Sequence, residues 1–449
     1  MLENFDPYEE KILNYTVGDG KTLKVGIISD SQIIPSANDP NHLLNIFTDH
    51  LKRTLEVLKY HKIQALIFAG DLTDSGTEYA YDLINKIIND VYKEGEERPI
   101  FNFIMGNHDY YLSYSTENNI FSPKIGEPKQ MQFLFYNKLK EKPFSHKVIN
   151  GYHFINWGSE NGSMDDSNKN VEWAETQIKL ALEDSKEKPI FVTTHLNAND
   201  TVYGSKGYSA KNLRELFNKY PNIIHFSGHS HYSLIDERSI WQNEFTSIQT
   251  QSISYVELEP GFQNGEIPRN EYGNILVAGQ NYMGLIMDLK ESECQIQRIS
   301  FENDVFYEKT KPWIIDIPID KNKFRYLYDK RKEKRNPPKF KFKNEEDKKI
   351  NLENDKKIKN GYALKFKGAI HDDFVYKYRI VLKNKQNNKI TELFYASDYY
   401  LMPIDRKDIM RFKLDKKGLD KGKYNIKIYA IESFGKESEN FLEGDITIE

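Results

Sequence analysis

The chain has 449 residues, more than a single hydrophobic core usually serves, so two or three domains are expected. Its composition, 39% hydrophobic and 13% aromatic with a mean hydropathy of -0.70, supplies real cores under a polar surface. A formal net charge of -4 argues against a dedicated polynucleotide binder, and the single Cys294 excludes an internal disulfide and a cysteine-based structural zinc site.

The opening segment, MLENFDPYEEKILNYTVGDG, has no basic region followed by an apolar core of the secretory kind. No later run approaches the ~20 apolar residues of a membrane span, so no membrane association is expected. These features fit a cytoplasmic chain; a secreted or cell-surface form would require a signal lost ahead of Met1.

From Leu23 to Ser29 the run LKVGIIS reads as a buried strand ending at Asp30. A helix should follow, with Asp39 as its cap, Pro40 in its first turn, and Leu43, Leu44, Phe47, Leu51, Leu55 and Leu58 at helical spacing. ALIFA (65–69) and IFNFIM (100–105) predict further strands, separated by a helix around 79–92. The pattern continues with strands HFINW, IFVTT and NIIHFS and helices near 171–184 and 209–219. Beyond Ile253 the rhythm changes, because SYVEL, NYMGLIMDL, CQIQRISF and WIIDIPI read as strands without helices between them, an antiparallel extension of a second sheet.

A first domain over 1–328 is followed by 329–360, dense in Lys, Glu and Asn and carrying the Pro337-Pro338 pair, which reads as a linker with a first strand at KFKF. Over 361–449 strict alternation returns, with Leu364 and Phe366, then Tyr376, Tyr378, Ile380 and Leu382, then Tyr424, Ile426, Ile428 and Ala430 on single faces. That is a small all-β sandwich. Its LDKGKYNIKIYAIESFGKES stretch resembles the last two strands of fibronectin type III domains, with Tyr424 at the tyrosine corner.

The chemistry sits in five short blocks directly after strands: Asp30-Ser31-Gln32, Gly70-Asp71-Leu72-Thr73-Asp74, Gly106-Asn107-His108-Asp109, Thr194-His195 and Gly228-His229-Ser230-His231. In open α/β sheets ligands collect at carboxyl ends of strands, so residues scattered in sequence can converge there. Two Asp, one Asn and three His mix hard oxygen donors with imidazole, a set suited to Mn, Fe or Zn. The glycines allow sharp turns where the strands end.

Together these blocks, from about Leu23 to His231, resemble the signature of the calcineurin-like metallophosphoesterases: D-x-H, GD, GNH[DE], a strand-terminal His and GHxH. The resemblance implies a four-layer α/β/β/α sandwich and a phosphate ester hydrolysed by water activated between two cations. It would place Asp30 and His231 on the first metal, Asn107, His195 and His229 on the second, and Asp71 between them. His108 would protonate the leaving alcohol and Asp74 would orient His108, although a helix N-cap is the alternative for Asp74.

Gln32 stands where the family usually has histidine. As a weaker neutral donor it favours Mn or Mg over Zn at the first site and leaves a mononuclear enzyme open. Ser75 and Met105 replace arginines that the family's protein phosphatases use to hold phosphate, which points to the smaller bacterial phosphodiesterases and a small mono- or diester substrate. Tyr110, Tyr111, Ser159, Tyr203 and Arg238 are candidates for shaping the pocket, while His225 reads as structural. The rival functions are a non-catalytic partner-binding module and a nuclease; low charge opposes the second. No protein partner for the C-terminal domain can be read.

Overall fold

The structure is a computed structural model that describes residues 2–33, 43–115, 122–162, 167–206, 209–258, 281–354, 361–416 and 418–449. Asp39 and Pro40, the expected helix start, lie outside the described residues. The described chain divides into two compact units, the first running to Tyr328 and the second comprising Asp329–Glu449 with Ile235–Glu237 and Leu258.

In the first unit the apolar run Leu23–Ile28 sits in the middle of a sheet. It pairs parallel with Ala65–Phe68, which pairs parallel with Ile100–Phe103. The other edge of Leu23–Ile28 takes Met283–Leu289 antiparallel, followed by Glu293–Ser300. Val305–Tyr307 and Trp313–Asp316 both pair with Glu293–Ser300. The helix-free C-terminal strands thus extend this sheet and not the second one, because Ala65–Phe68 occupies only one edge of Leu23–Ile28. The expected strand at SYVEL does not form; Ser252 makes an isolated bridge to Ser29.

The second sheet runs in the order Leu13–Tyr15, Phe144–Ile149, Tyr152–Trp157, Ile190–Thr193, Ile223–Ser227, Thr246–Gln249, Ile240–Gln242. Both sheets are covered on their outer faces. Ile28, Leu66, Phe68 and Phe103 share a core with the helices Leu43–Tyr60, Glu78–Val91 and Pro128–Leu139. Ile155, Trp157, Ile190, Val192 and Ile223 share another with the helices Asn168–Asp184 and Lys211–Phe217. Facing the other way, the rings of Phe154 and Phe191 stack 4.8 Å apart. Because strand side chains alternate between faces, each central strand serves two cores, which is why these strands read as continuous apolar runs. The result is an α/β/β/α sandwich.

In the second unit, Asn351–Glu353, Gly361–Lys367 and Ile409–Asp415 form one sheet, and Ile390–Ala396, Lys377–Asn384, Gly422–Ile431 and Leu442–Ile448 form the other. All strand pairs are antiparallel. Leu364, Phe366, Tyr378, Ile380, Leu382, Tyr424, Ile426 and Ile428 fill one core, and burying each such side chain contributes roughly 1.5–3 kcal/mol. The first strand is Asn351–Glu353; KFKF makes only a bridge from Lys339 to Ile370 and buries Phe340. Pro337-Pro338 removes two backbone donors just ahead of it, which suits a crossing segment better than a ladder.

Candidate metal centre

The strand ends deliver the five blocks to one place. Asp30 N–H donates to Gly70 O at 3.0 Å, Gln32 N–H to Asp71 O at 3.0 Å and Gly228 N–H to His195 O at 2.9 Å, so neighbouring loops are laced by backbone bonds. Five of the candidate residues occupy the left-handed region without being glycine: Asp30 (φ 55°), Gln32 (43°), Asp71 (49°), His229 (70°) and His231 (54°). Each such backbone costs about 1–3 kcal/mol and persists only where the surrounding structure holds it. Of the glycines before Asp71, Asn107 and His229, only Gly70 needs a positive φ (90°). Gly106 and Gly228 are required for space, since a Cβ would collide with Asp71 at the first and with Ser29 and Asp30 at the second.

The side chains then converge in two groups that share one carboxylate. Asp71, His195 and His229 offer ligand atoms within 4.8 Å of one another, and so do Asp30, Asp71 and His231. His195 Nδ1–H donates to Ala69 O at 2.8 Å, which turns Nε2 toward Asp71 Oδ2 at 3.1 Å. His231 Nδ1 faces Tyr255 O at 3.2 Å, turning Nε2 toward Asp30 Oδ1 at 3.1 Å. This carbonyl backing is how a protein fixes the tautomer of a metal-binding imidazole. Among the described residues the buried Asn107 Oδ1 accepts no hydrogen bond, while its Nδ2 donates to the Tyr111 hydroxyl at 2.9 Å. A buried carbonyl oxygen of this kind, in a recess that His195 also lines, fits a cation.

The electrostatics agree. Burial alone would lower the His195 pKa, but Asp71 and Asp30 outweigh it and raise it to about 9. Asp71 is buried, which opposes ionisation, yet His195 and His108 pull its pKa well below the usual carboxylate range. Two buried carboxylates thus draw protons onto neighbouring imidazoles. A divalent cation would supply the same positive charge and release those protons.

Gln32 lies at the edge of the Asp30 group, with Nε2 3.4 Å from His231 Nε2, and its side chain hydrogen-bonds the Tyr255 hydroxyl. Tyr255 was not expected here. No motif marks it, and the bridge that brings Ser252 alongside Ser29 is a long-range contact.

His108 is partly accessible, with Nδ1 3.2 Å from Asp74 Oδ1 and Nε2 3.9 Å from Asp71 Oδ2. Burial would lower its pKa, but the Asp71 and Asp74 carboxylates raise it to about 9. Asp74 does not cap the following helix; Thr77 does, its side chain accepting from Ala80 N–H at 3.3 Å.

Asp109 is the residue that the motif alone undervalued. Fully buried, it accepts from Leu72 N–H (3.2 Å), Thr73 N–H (3.1 Å), Thr73 Oγ1 (2.8 Å), Tyr81 OH (3.2 Å) and Gly106 N–H (3.0 Å). It therefore ties the loop carrying Asp71 and Asp74 to the loop carrying Asn107 and His108. Burial and the Asp71 charge push its pKa up to about 6, against the pull of the Gly106 and Thr73 hydrogen bonds.

The remaining candidates separate. Tyr110 is a core residue whose hydroxyl donates to Ser159 O at 2.6 Å. Ser159 lines a small recess with Asn107, Trp157 and His195. Arg238 packs over the Tyr203 ring at 4.2 Å. His225 is held between Thr194 Oγ1 (2.8 Å) and Ser247 Oγ (3.0 Å), as a structural histidine should be.

Known proteins can now be set beside this geometry. No curated protein matches the chain. Among solved structures, a dimetal phosphatase from Danio rerio is similar at 12% identity and a TM-score of 0.41, covering 66% of this chain and 99% of its own. A purple acid phosphatase from yellow lupin (Lupinus luteus) seeds is similar at 12% identity and a TM-score of 0.43, covering 66% of this chain and 54% of its own. Likenesses this distant carry no argument about chemistry. The family match does: residues 23–233, which hold all five blocks, match the calcineurin-like phosphoesterases. That stretch is therefore a calcineurin-like phosphoesterase domain, and the chain is a metal-dependent phosphoester hydrolase.

Proposed function

We propose that the chain hydrolyses a small phosphate mono- or diester at a dinuclear centre. Asp30, Gln32 and His231 would hold one divalent cation, Asn107, His195 and His229 the other, and Asp71 both. The observation that carries this reading is the membership of the Asp71 carboxylate in both groups of convergent ligand atoms. The mix of carboxylate, amide and imidazole suits Mn or Fe, with Zn or Mg as alternatives. When bound, such cations stabilise charge on phosphoryl oxygens and lower the pKa of water.

The chain's own residues supply the rest. Asp74 holds His108 by Nδ1, so that the Nε2 proton is presented on the side of Asp71. As water oxygen bonds to phosphorus and the bond to the ester oxygen breaks, His108 delivers its proton to the departing alcohol. A partner-binding module that merely kept the fold would not need this pair. Among the described residues no helix is long and apolar enough to cross a membrane. We further assign the second unit as a fibronectin type III-like accessory domain, on its sheet pattern and on Tyr424, whose hydroxyl donates to Asp420 O at 2.8 Å.

The test is Asp71→Asn. Removing the shared negative charge should lower the metal content measured on the purified protein and abolish turnover of aryl phosphate mono- and diesters in Mn. An Asp71→Asn protein that keeps both its metal content and its activity would sink the proposal.

A further inference from the structure

The second unit has a feature that a purely structural sandwich does not require. A cavity of about 420 Å³, within the range of small-molecule sites, opens between the connection 368–376 and the long connection 397–408. Both connections cross from one sheet of the unit to the other, so the cavity lies at one end of the sandwich.

The walls are fixed in advance. Arg406 donates to Tyr399 O at 3.1 Å and Leu401 O at 3.0 Å, so its guanidinium pins the long connection to itself. Asp398 Oδ2 accepts from Lys407 N–H at 2.8 Å, and Gly368 N–H donates to Asp408 O at 2.7 Å across the two connections. Below them the rings of Phe374 and Tyr399 stack at 5.3 Å.

The charge at this cavity is unbalanced. Its lining includes Lys341, Lys343 and Lys407, and among the described residues none of these ammonium groups has a carboxylate within 4.0 Å. The carboxylates of the lining are Asp373, Asp398 and Asp408. Asp373 is spent on Arg335 at 2.9 Å, and Asp398 is half-buried and engaged by the Lys407 backbone. Lys367, also in the lining, is paired with Asp347 at 2.9 Å. What remains is a concave, preformed surface with more unpaired positive than negative charge, beside the half-exposed Ile370.

We propose that this cavity is a binding site for an organic anion, a phosphate- or carboxylate-bearing molecule whose ring or apolar body lies against the Ile370 wall while Lys341 and Lys343 neutralise its charge. The site is independent of the metal centre and needs no metal.

The test uses the full chain kept in chelator, so that metal-dependent binding elsewhere is silent. Phenylphosphonate, phenylacetate and benzyl alcohol are titrated in by calorimetry. At least one anion should bind, weakening as salt rises, and benzyl alcohol should not. Comparing the two anions decides between phosphate and carboxylate chemistry. Reversing two exposed charges, Lys341→Glu with Lys343→Glu, should weaken binding by about tenfold or more. The double variant should still hydrolyse aryl phosphate esters in Mn like the parent, which shows that it is folded and keeps this result separate from the catalytic reading. Absence of anion binding, equal binding of benzyl alcohol, or unchanged affinity in the double variant would overturn the proposal.

Discussion

The two units treat their backbones differently. In the catalytic unit the left-handed non-glycine residues include Lys62, Lys140, Asn150, Asp200, Asn281, Asp304 and Glu308 at scattered positions, but five others, Asp30, Gln32, Asp71, His229 and His231, stand together in one site. In the sandwich, the described strands and turns contain a single such residue, Asn388, in the tight turn between Lys377–Asn384 and Ile390–Ala396. Asparagine at a hairpin turn tolerates that conformation and needs no functional reason. Two carboxylates, two imidazoles and an amide in the same conformation at convergent strand ends do need one. The contrast teaches that unfavourable backbone is retained where it aims side chains at a common point, and is avoided where alternation alone builds the core.

The sharpest way to break this contrast is to remove chemistry without touching the aimed loops. His108→Asn should leave metal content intact and slow hydrolysis of alkyl esters by ~10²- to 10⁴-fold, the usual loss for a general acid. The loss should shrink for nitrophenyl esters, whose leaving group departs without a proton. Rates on both ester types, with metal analysis, check this; loss of the metals would place His108 among the ligands instead.

Next comes the residue that holds the loops in register. Asp109→Asn offers an NH₂ group where an acceptor stood, facing either the Leu72 and Gly106 donors or those of Thr73 and Tyr81. With ~1–3 kcal/mol for each buried donor left unsatisfied, stability should fall by about 3 kcal/mol, and metal affinity should fall with it. Denaturant unfolding and metal titration measure the two. A variant with full stability and full affinity would mean that the loops hold their shape unaided.

A smaller effect tests whether strain and ligand identity are separable. Histidine is among the residues that accept the left-handed region, so Gln32→His should fit the φ of 43° and tighten Zn binding by about tenfold. Unchanged Zn affinity would show that position 32 is not a ligand. The smallest effect belongs to the sandwich. Tyr424→Phe removes the hydrogen bond to Asp420 O and should cost ~1 kcal/mol in the unfolding of that unit, with no change in ester hydrolysis.

Much of this molecule was legible in local pattern. Continuous apolar runs marked Leu23–Ile28, Ala65–Phe68 and Ile190–Thr193, since a strand buried on both faces leaves no alternation to read. Period-two alternation marked Gly361–Lys367, Lys377–Asn384 and Gly422–Ile431, since these strands face a core on one side only. The helix Pro128–Leu139 escaped notice because its apolar positions are weakly periodic, although Pro128 in its first turn was a usable signal.

The sequence by itself determined which residue types stand at each strand end, and with them the donor chemistry of the site, because short motifs report composition and order. Tertiary structure alone decided three things. Antiparallel strands from 283–316 joined the sheet of Leu23–Ile28, since sheet edges are filled by long-range pairing that no local pattern encodes. Tyr255 came to rest against Gln32 and His231. Asp109 became the acceptor for two loops and a helix, because five donors, up to 37 positions away from it in sequence, meet only when the strands lie side by side.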